Sequence, residues 1–491
     1  MFNAKIPRRT NDMAQRSLKM RGVCLLLLLL VATTSSAKVI LPRVIDSHMV
    51  LQQNTNVRLW GWSDKKEVTI VVSWNSQVYH AKVVDSRWFL MLPTPYGSYS
   101  PQTIIISDSD GEIELSDLLI GEVWICSGQS NMEMPMRGNL AQPVKGSLTE
   151  IMHSGEMAQR IRFITIPKDE SGVLRETFDH EQWQKPSSET TLMCSAAAWY
   201  FAKHLTRSLD VPVGLIINAW GGSRIEAWMD EESLSRVEGL DIKAAKSPTL
   251  RVRERVTMLY NTMHAPICGF TAKGFLWYQG ESNVFNYHLY PALMREMVSL
   301  WRHDWQQPDM PFIFVQIAPY NYGNSQDLNA AFLREAQMKA RRMIHNSWII
   351  PTTDIGDELC IHPEQKDIIG LRLASTALNH VYGMENIPAE GPMMKEVNYA
   401  DGKAFVEFEG APMALYPNMM PLAGFEVAGE DHVFYPAQAQ TQKRSNIVEV
   451  FADEVSSPIA VRYAFHNYTP NISLADTYGN AAFPFRTDDW E

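Results

Sequence analysis

Apolar and polar positions alternate in two different rhythms along this chain of 491 residues. From residue 38 to about 117 the runs are short and rich in β-branched and aromatic residues. Val57-Arg58-Leu59-Trp60-Gly61-Trp62, Glu67-Val68-Thr69-Ile70-Val71-Val72, Gln77 to Val83 and Gln102 to Ile106 are of this kind. Polar turns such as Ser63-Asp64-Lys65-Lys66 and Ser107-Asp108-Ser109-Asp110-Gly111 separate them, so this stretch predicts a small all-β sandwich. From about 118 the rhythm changes. Apolar runs at Leu118 to Ile120, Val123 to Ile125, Val213 to Ile217, Gly274 to Tyr278, Phe312 to Ile317 and Ser347 to Ile350 read as strands. Helix-period segments lie between or after them, at Ala196 to Leu209, Tyr290 to Trp305, Leu328 to Met343 and Pro363 to His380. A run that is apolar at every position suits a strand buried on both faces, so the pattern predicts an α/β unit with a parallel sheet and helices on either side. Beyond 390, Lys403 to Phe408 and Asn446 to Phe451 bring back short strands. The predicted parts are an N-terminal β-sandwich at 38–117, an α/β domain at 118–390 and a β-rich region at 391–491.

Composition narrows the class. A hydrophobic share of 45% with 10% aromatics describes a packed globular protein, and a net charge of −11 without a clustered basic surface excludes a nucleic-acid partner. The N-terminus carries Lys5, Arg8, Arg9, Arg16, Lys19 and Arg21 ahead of the apolar run Val23 to Ala32, with small residues at Ser35-Ser36-Ala37. That is the pattern of an export signal over residues 1–37, cleaved near Ala37, and the run is too short for a stable membrane span. Cleavage removes six basic residues and one acidic residue, which leaves a mature charge of −16 on a periplasmic or extracellular protein. Cys126, Cys194, Cys268 and Cys360 are scattered without a CxxC pair, so they read as small buried hydrophobes, one bridge aside. Asn467-Tyr468-Thr469 and Asn471-Ile472-Ser473 are glycosylation sequons, relevant in a eukaryotic host.

Four polar segments at predicted strand ends carry the chemistry. Gly128-Gln129-Ser130-Asn131 follows the first core strand and sets Ser130 where open α/β sheets bind their ligands. It is not the Gly-x-Ser-x-Gly elbow, because Met132 stands at the second glycine. The strand Val213 to Ile217 runs into Trp220-Gly221-Gly222-Ser223, where a backbone N–H can approach a ligand closely. The third strand ends in Gln279-Gly280-Glu281-Ser282-Asn283, which offers Gln279 or Asn283 as an amide donor to an oxyanion and Glu281 as an acid, base or orienting group. His362, just before Pro363, follows the last parallel strand in a loop that also holds Asp357.

Taken in order, these blocks resemble the SGNH hydrolase superfamily and, within it, the sialate O-acetylesterase family. Gly128 to Met134, Trp220-Gly221-Gly222-Ser223-Arg224-Ile225-Glu226-Ala227-Trp228, Trp277-Tyr278-Gln279-Gly280-Glu281-Ser282-Asn283 and Ile361-His362-Pro363 carry the resemblance. The segments Leu41 to Ile45, Met49 to Gln52, Val461 to Tyr463 and Pro484 to Asp488 are similar as well. The resemblance implies a flavodoxin-like three-layer α/β/α core flanked by all-β regions. It implies Ser130 as nucleophile, His362 as general base and Gly222, or its neighbour Gly221, as an oxyanion donor. The third block departs from the superfamily's Gly-x-Asn-Asp, since Ser282 holds the asparagine place; the amide donor then falls to Gln279 or, second, Asn283. The triad's acid departs too. The positions three and two before the histidine are Leu359 and Cys360, so the acid is Glu281, which is favoured, or Asp357, or the site runs as a Ser–His dyad.

The chemistry expected is acyl transfer through an acetyl-serine, without metal or cofactor, on O-acetylated sialic acid or a sialoglycan. Arg224 would grip the sialic carboxylate with two parallel N–H bonds, against an alternative of a surface ion pair with Glu226 or Asp230. Two other functions share the pattern: an esterase for acetylated xylan or another carbohydrate, and a glycan-binding protein whose triad has decayed.

Overall fold

The computed structural model describes residues 39–323 and 327–490. The predicted export signal at 1–37 lies outside the described residues. Among those described, no helix is long and apolar enough to cross a membrane.

The organising element is one long strand. It is preceded by β1 (Val50–Gln52), β2 (Asn56–Trp62), β3 (Glu67–Val72), β4 (Val78–Lys82), β5 (Arg87–Pro93) and β6 (Ser98–Asp108), and is itself β7 (Gly111–Gly128). Its first half pairs antiparallel with β6, which pairs with β3 and then β4. β2 and β5 form a separate antiparallel ribbon. Buried alternate residues of ribbon and sheet, such as Val57, Leu59, Val68, Ile70, Ile104 and Ile106, share one core. The second half of β7 changes partners without a break. It pairs in parallel with β9 (Val213–Ala219) on one side and β10 (Gly274–Tyr278) on the other. β8 (Ile161–Thr165) extends the sheet beyond β9, and β11 (Phe312–Val315) and β12 (Ser347–Ile350) extend it beyond β10. The parallel order is therefore β8-β9-β7-β10-β11-β12. A mixed α/β fold with a central, mostly parallel sheet follows, and all-β sheets flank it.

Period two along these strands divides the interior. Val123, Ile125, Phe275, Trp277, Phe312 and Phe314 face one core, while Trp124, Cys126, Leu276, Tyr278, Ile313 and Val315 face the other. Helices follow the strands: α1 (Ser130–Glu133), α2 (Ala196–Leu209), α3 (Tyr290–Asp304), α4 (Asn329–Met343) and α5 (Lys366–Thr376). α2 and α5 pack into the second core and α3 and α4 into the first, so helices cover both faces. Ser195 caps α2 by accepting from Ala198 N–H at 3.2 Å, which fixes its start. After 390, two four-stranded antiparallel sheets enclose a third core that includes Phe408, Val427, Val450 and Tyr463.

The register brings three strand ends level, with Gly128 opposite Ala219 on one side and Tyr278 on the other. Pairing continues one residue further, because Trp220 N–H donates to the Gly128 carbonyl at 3.0 Å and Gln129 N–H to the Tyr278 carbonyl at 2.9 Å. Gly128 has φ +140°, and a Cβ there would stand 2.1 Å from the Tyr278 carbonyl oxygen, so only glycine lets β7 turn here.

Candidate active site

Ser130 opens α1 at the carboxyl end of β7, half-buried, and Gly221 lies directly beside it: a Cβ on Gly221 would meet the Ser130 Cβ at 3.1 Å. The two glycines have different roles. The Gly221 N–H donates to Glu133 Oε2, and Glu133 also accepts from Lys168. Gly222 sits at φ +74°, and neither its N–H nor that of Ser130 donates to a protein acceptor among the described residues. Of the two glycines, Gly222 is thus the one with a donor left for a ligand.

Ser130 and His362 are tied together through their neighbours. Asn131, fully buried, donates from its amide to the Ile361 carbonyl at 3.1 Å and to Glu281 Oε1 at 2.6 Å. Its amide oxygen accepts from Lys366 Nζ at 2.6 Å, so the orientation of the amide is fixed from both ends. Burial raises the Glu281 pKa, and burial lowers that of Lys366 to about 7. This chain of Glu281, Asn131 and Lys366 lies beneath the serine and holds the His362 loop down.

Glu281 therefore points to Asn131 and not to the imidazole. Asp357 is elsewhere too: its Oδ1 accepts from the N–H groups of Leu359 and Cys360, both at 2.8 Å, and shapes the loop ahead of the histidine. The partner of His362 is Gln142, whose amide oxygen accepts from Nδ1 at 2.8 Å. An amide oxygen only accepts, so Nδ1 carries the proton and Nε2 is left as the base. Burial, then the nearby Lys366 charge, depress the His362 pKa to about 4, with Glu133 opposing. Gln142 orients the ring but supplies no charge to an imidazolium.

The amides of the third block serve the scaffold. Gln279 Nε2 donates to the Ser223 carbonyl at 3.0 Å and to Asn283 Oδ1 at 2.8 Å, and its Oε1 accepts from Tyr290 at 2.9 Å. Asn283 Nδ2 donates to Glu226 Oε2 at 2.9 Å and to Asn286 Oδ1 at 3.1 Å. Both amides are engaged within the scaffold, whereas the sequence pattern offers Gln279 and Asn283 as candidate oxyanion donors. What they do is lock the turn after β9 to the turn after β10. Arg224 has no carboxylate partner among the described residues, because Glu226 is held by Asn283 and Asn286 and Asp230 caps Ser233. Its guanidinium lies over the exposed Phe285 ring, 4.6 Å from the centroid. Arg253 packs on Gly222, with Nε 2.9 Å from where a Cβ would stand. Sequence reasoning missed Gln142, in a loop, and Arg253, in the short 3-10 turn Val252–Glu254, neither of which carries a motif. Asn131 and Glu133 stand inside the serine block.

Comparison with known proteins gives the family of the chain. A family model described as SASA, carbohydrate esterase, sialic acid-specific acetylesterase, matches residues 120–379, more than half of the chain. The chain belongs to this carbohydrate esterase family. As a member it is similar to sialate O-acetylesterase of Mus musculus, 26% identical over 509 residues that cover 90% of this chain and 92% of the mouse protein. The Homo sapiens sialate O-acetylesterase is 27% identical over 390 residues, 72% of this chain and 73% of that one. Among solved structures, a carbohydrate acetylesterase from Xanthomonas citri is 30% identical with a TM-score of 0.82, covering 92% of this chain and all of the other (100%).

The His362 environment makes a pH prediction. As a general base His362 would work only when neutral, so activity is then lost as pH falls through its pKa, and kcat/KM is expected to hold down to about pH 5 and halve near 4. Gln142→Glu would place a carboxylate against Nδ1–H and move the acid limb up by about one unit or more. A pH–rate profile on an acetyl ester checks both, and an acid limb at an ordinary histidine value in the parent would refute the reading.

Proposed function

We propose that this chain is a sialate O-acetylesterase, a serine esterase that removes O-acetyl groups from sialic acids through an acetyl-serine intermediate. The observation that carries the proposal is the unengaged N–H groups of Ser130 and Gly222, Ser130 lying against Gly221, with the His362 loop tied to the serine turn through Asn131 and the His362 Nδ1 already committed to Gln142. Nε2 of His362 takes the proton as Ser130 Oγ attacks the acetyl carbonyl. The N–H groups of Ser130 and Gly222 receive the oxyanion, and each such donor is worth about 100- to 1000-fold in rate. The C–O bond to the sugar breaks, His362 returns the proton to the leaving hydroxyl, and water then removes the acetyl group by the same route. The site is read as a dyad oriented by a neutral amide. The core that carries it, spanning 118–390, is assigned to the SGNH type. In support, the order β9-β7-β10-β11-β12 reads 2-1-3-4-5 in flavodoxin-like numbering, with β8 an added edge strand.

Sialic acid is favoured by Arg253, packed on Gly222, and by Arg224, two residues further on and without a carboxylate partner among the described residues. A net charge of −16 on the exported protein repels an anionic sugar at long range, so recognition of its carboxylate has to be local. Arg224→Ala is expected to raise KM for an O-acetylated sialic acid by about 10-fold or more and to leave a small aryl acetate unchanged. Equal losses on both would mean that Arg224 supports the Gly222 turn instead. A second reading, an esterase for an acetylated neutral carbohydrate, is favoured by the likeness to the Xanthomonas citri acetylesterase. An acetate-release assay that compares O-acetylated sialic acid with acetylated xylan separates the two. Mass detection of an acetyl group on Ser130 tests catalysis itself and would eliminate a purely glycan-binding role.

A further inference from the structure

A second cluster of reactive side chains lies at the opposite end of the sheet. His264 ends the π-helical turn Tyr260–His264, Cys268 follows four residues on, and Asp304 is the last residue of α3. Cys268 lies on the approach to β10 and α3 leads towards β11, so the cluster sits at the amino ends of the parallel strands, away from Ser130. His264 is fully buried between the rings of Tyr260 and Trp301, and neither of its ring nitrogens has a hydrogen-bond partner. A buried imidazole left unsatisfied at both nitrogens calls for an explanation in a missing water or ion. One atom each from His264, Cys268 and Asp304 lie within 4.8 Å of one another, and His264 Nε2 is 3.8 Å from Asp304 Oδ2. Ligand atoms around a tetrahedral zinc ion are roughly 3.3–3.8 Å apart, given its bond lengths.

We propose that His264, Cys268 and Asp304 form a structural site for a borderline divalent cation, of which Zn²⁺ is the best match. One imidazole, one thiolate and one carboxylate select zinc over magnesium or calcium, and their two negative charges neutralise it. Tyr260 donates to Asp304 Oδ2 at 3.0 Å and orients the carboxylate from behind. The fourth ligand is water from a cleft of about 440 Å³, lined in part by Cys268, Pro266, Arg58 and Trp88. Burial keeps the Cys268 thiol and the Asp304 carboxyl above their ordinary pKa values, so the ion displaces their protons to solvent as it binds. Bound there, it ties the π-turn, the approach to β10 and the end of α3 into one unit.

The test uses the mature protein loaded with Zn²⁺ or Co²⁺ and stripped of loose metal on a chelating resin. The parent is expected to retain about one Zn²⁺ per chain by elemental analysis, and Cys268→Ser less than about a tenth of that. Loaded with Co²⁺, the parent should show a thiolate-to-cobalt charge-transfer band that Cys268→Ser lacks. Chelation should lower the parent's Tm by several degrees and leave aryl acetate hydrolysis at room temperature unchanged, since the cluster is remote from Ser130. Zinc retention equal in parent and variant, or a cobalt spectrum without the thiolate band, would overturn the assignment. Cys268 is only half-buried, so its serine variant serves even if His264→Ala does not fold.

Discussion

Ser130→Ala is expected to lower kcat on an acetylated sugar by about 10,000-fold or more while the protein stays folded, because removing a nucleophile removes the covalent route altogether. Little stability should be lost. Ser130 is half-buried and its hydroxyl bonds to no protein group among the described residues, so alanine leaves no orphaned partner. The supports of the turn, from Gly128 to Asn131, are untouched. Acetate release and a thermal melt measure the two halves of the prediction. Residual turnover within about tenfold of the parent would remove Ser130 from the mechanism.

His362→Ala is expected to cost about as much, and the double variant little more than either single one, since nucleophile and base act as one unit. The prediction discriminates, because a second amine stands close by. Lys366, with a pKa of about 7, is partly neutral at physiological pH. It is fully buried and donates to Asn131, however, so no substrate reaches it. If His362→Ala kept substantial turnover with a limb near neutrality, Lys366 would have to be the base. Steady-state kinetics across pH on the single and double variants settle the matter.

The parts of this protein that were legible in its sequence are those set by local pattern. Gly274–Tyr278 and Ser347–Ile350 are strands over the predicted residues, and α2 spans Ala196–Leu209 as its apolar spacing requires. β8 was not legible, since the charged Arg162 interrupts the apolar run at Ile161–Thr165. The serine and histidine blocks were readable because glycine and proline mark strand ends and helix starts. Side-chain direction within a turn was not. Glu281, Gln279 and Asn283 sit where a catalytic group would, yet each is turned inward, because a buried turn must first satisfy its own polar atoms. Gln142 was out of reach for another reason: it meets His362 across 220 residues, and nothing in a polar loop reveals such a contact.

The continuity of β7 bears on how this molecule can be divided. Residue 117 is not a linker, because the same backbone runs from Gly111 to Gly128 and ends two residues before Ser130, and its ladder with β6 continues past 117 to Ile120. A cut there severs a strand: an amino-terminal fragment loses the end of the β6 ladder, and a carboxy-terminal one keeps the parallel ladder but exposes β7's frayed beginning. The flanking β layer is therefore no detachable accessory. Whatever docks on it or deforms it acts on the same continuous strand that leads to Ser130.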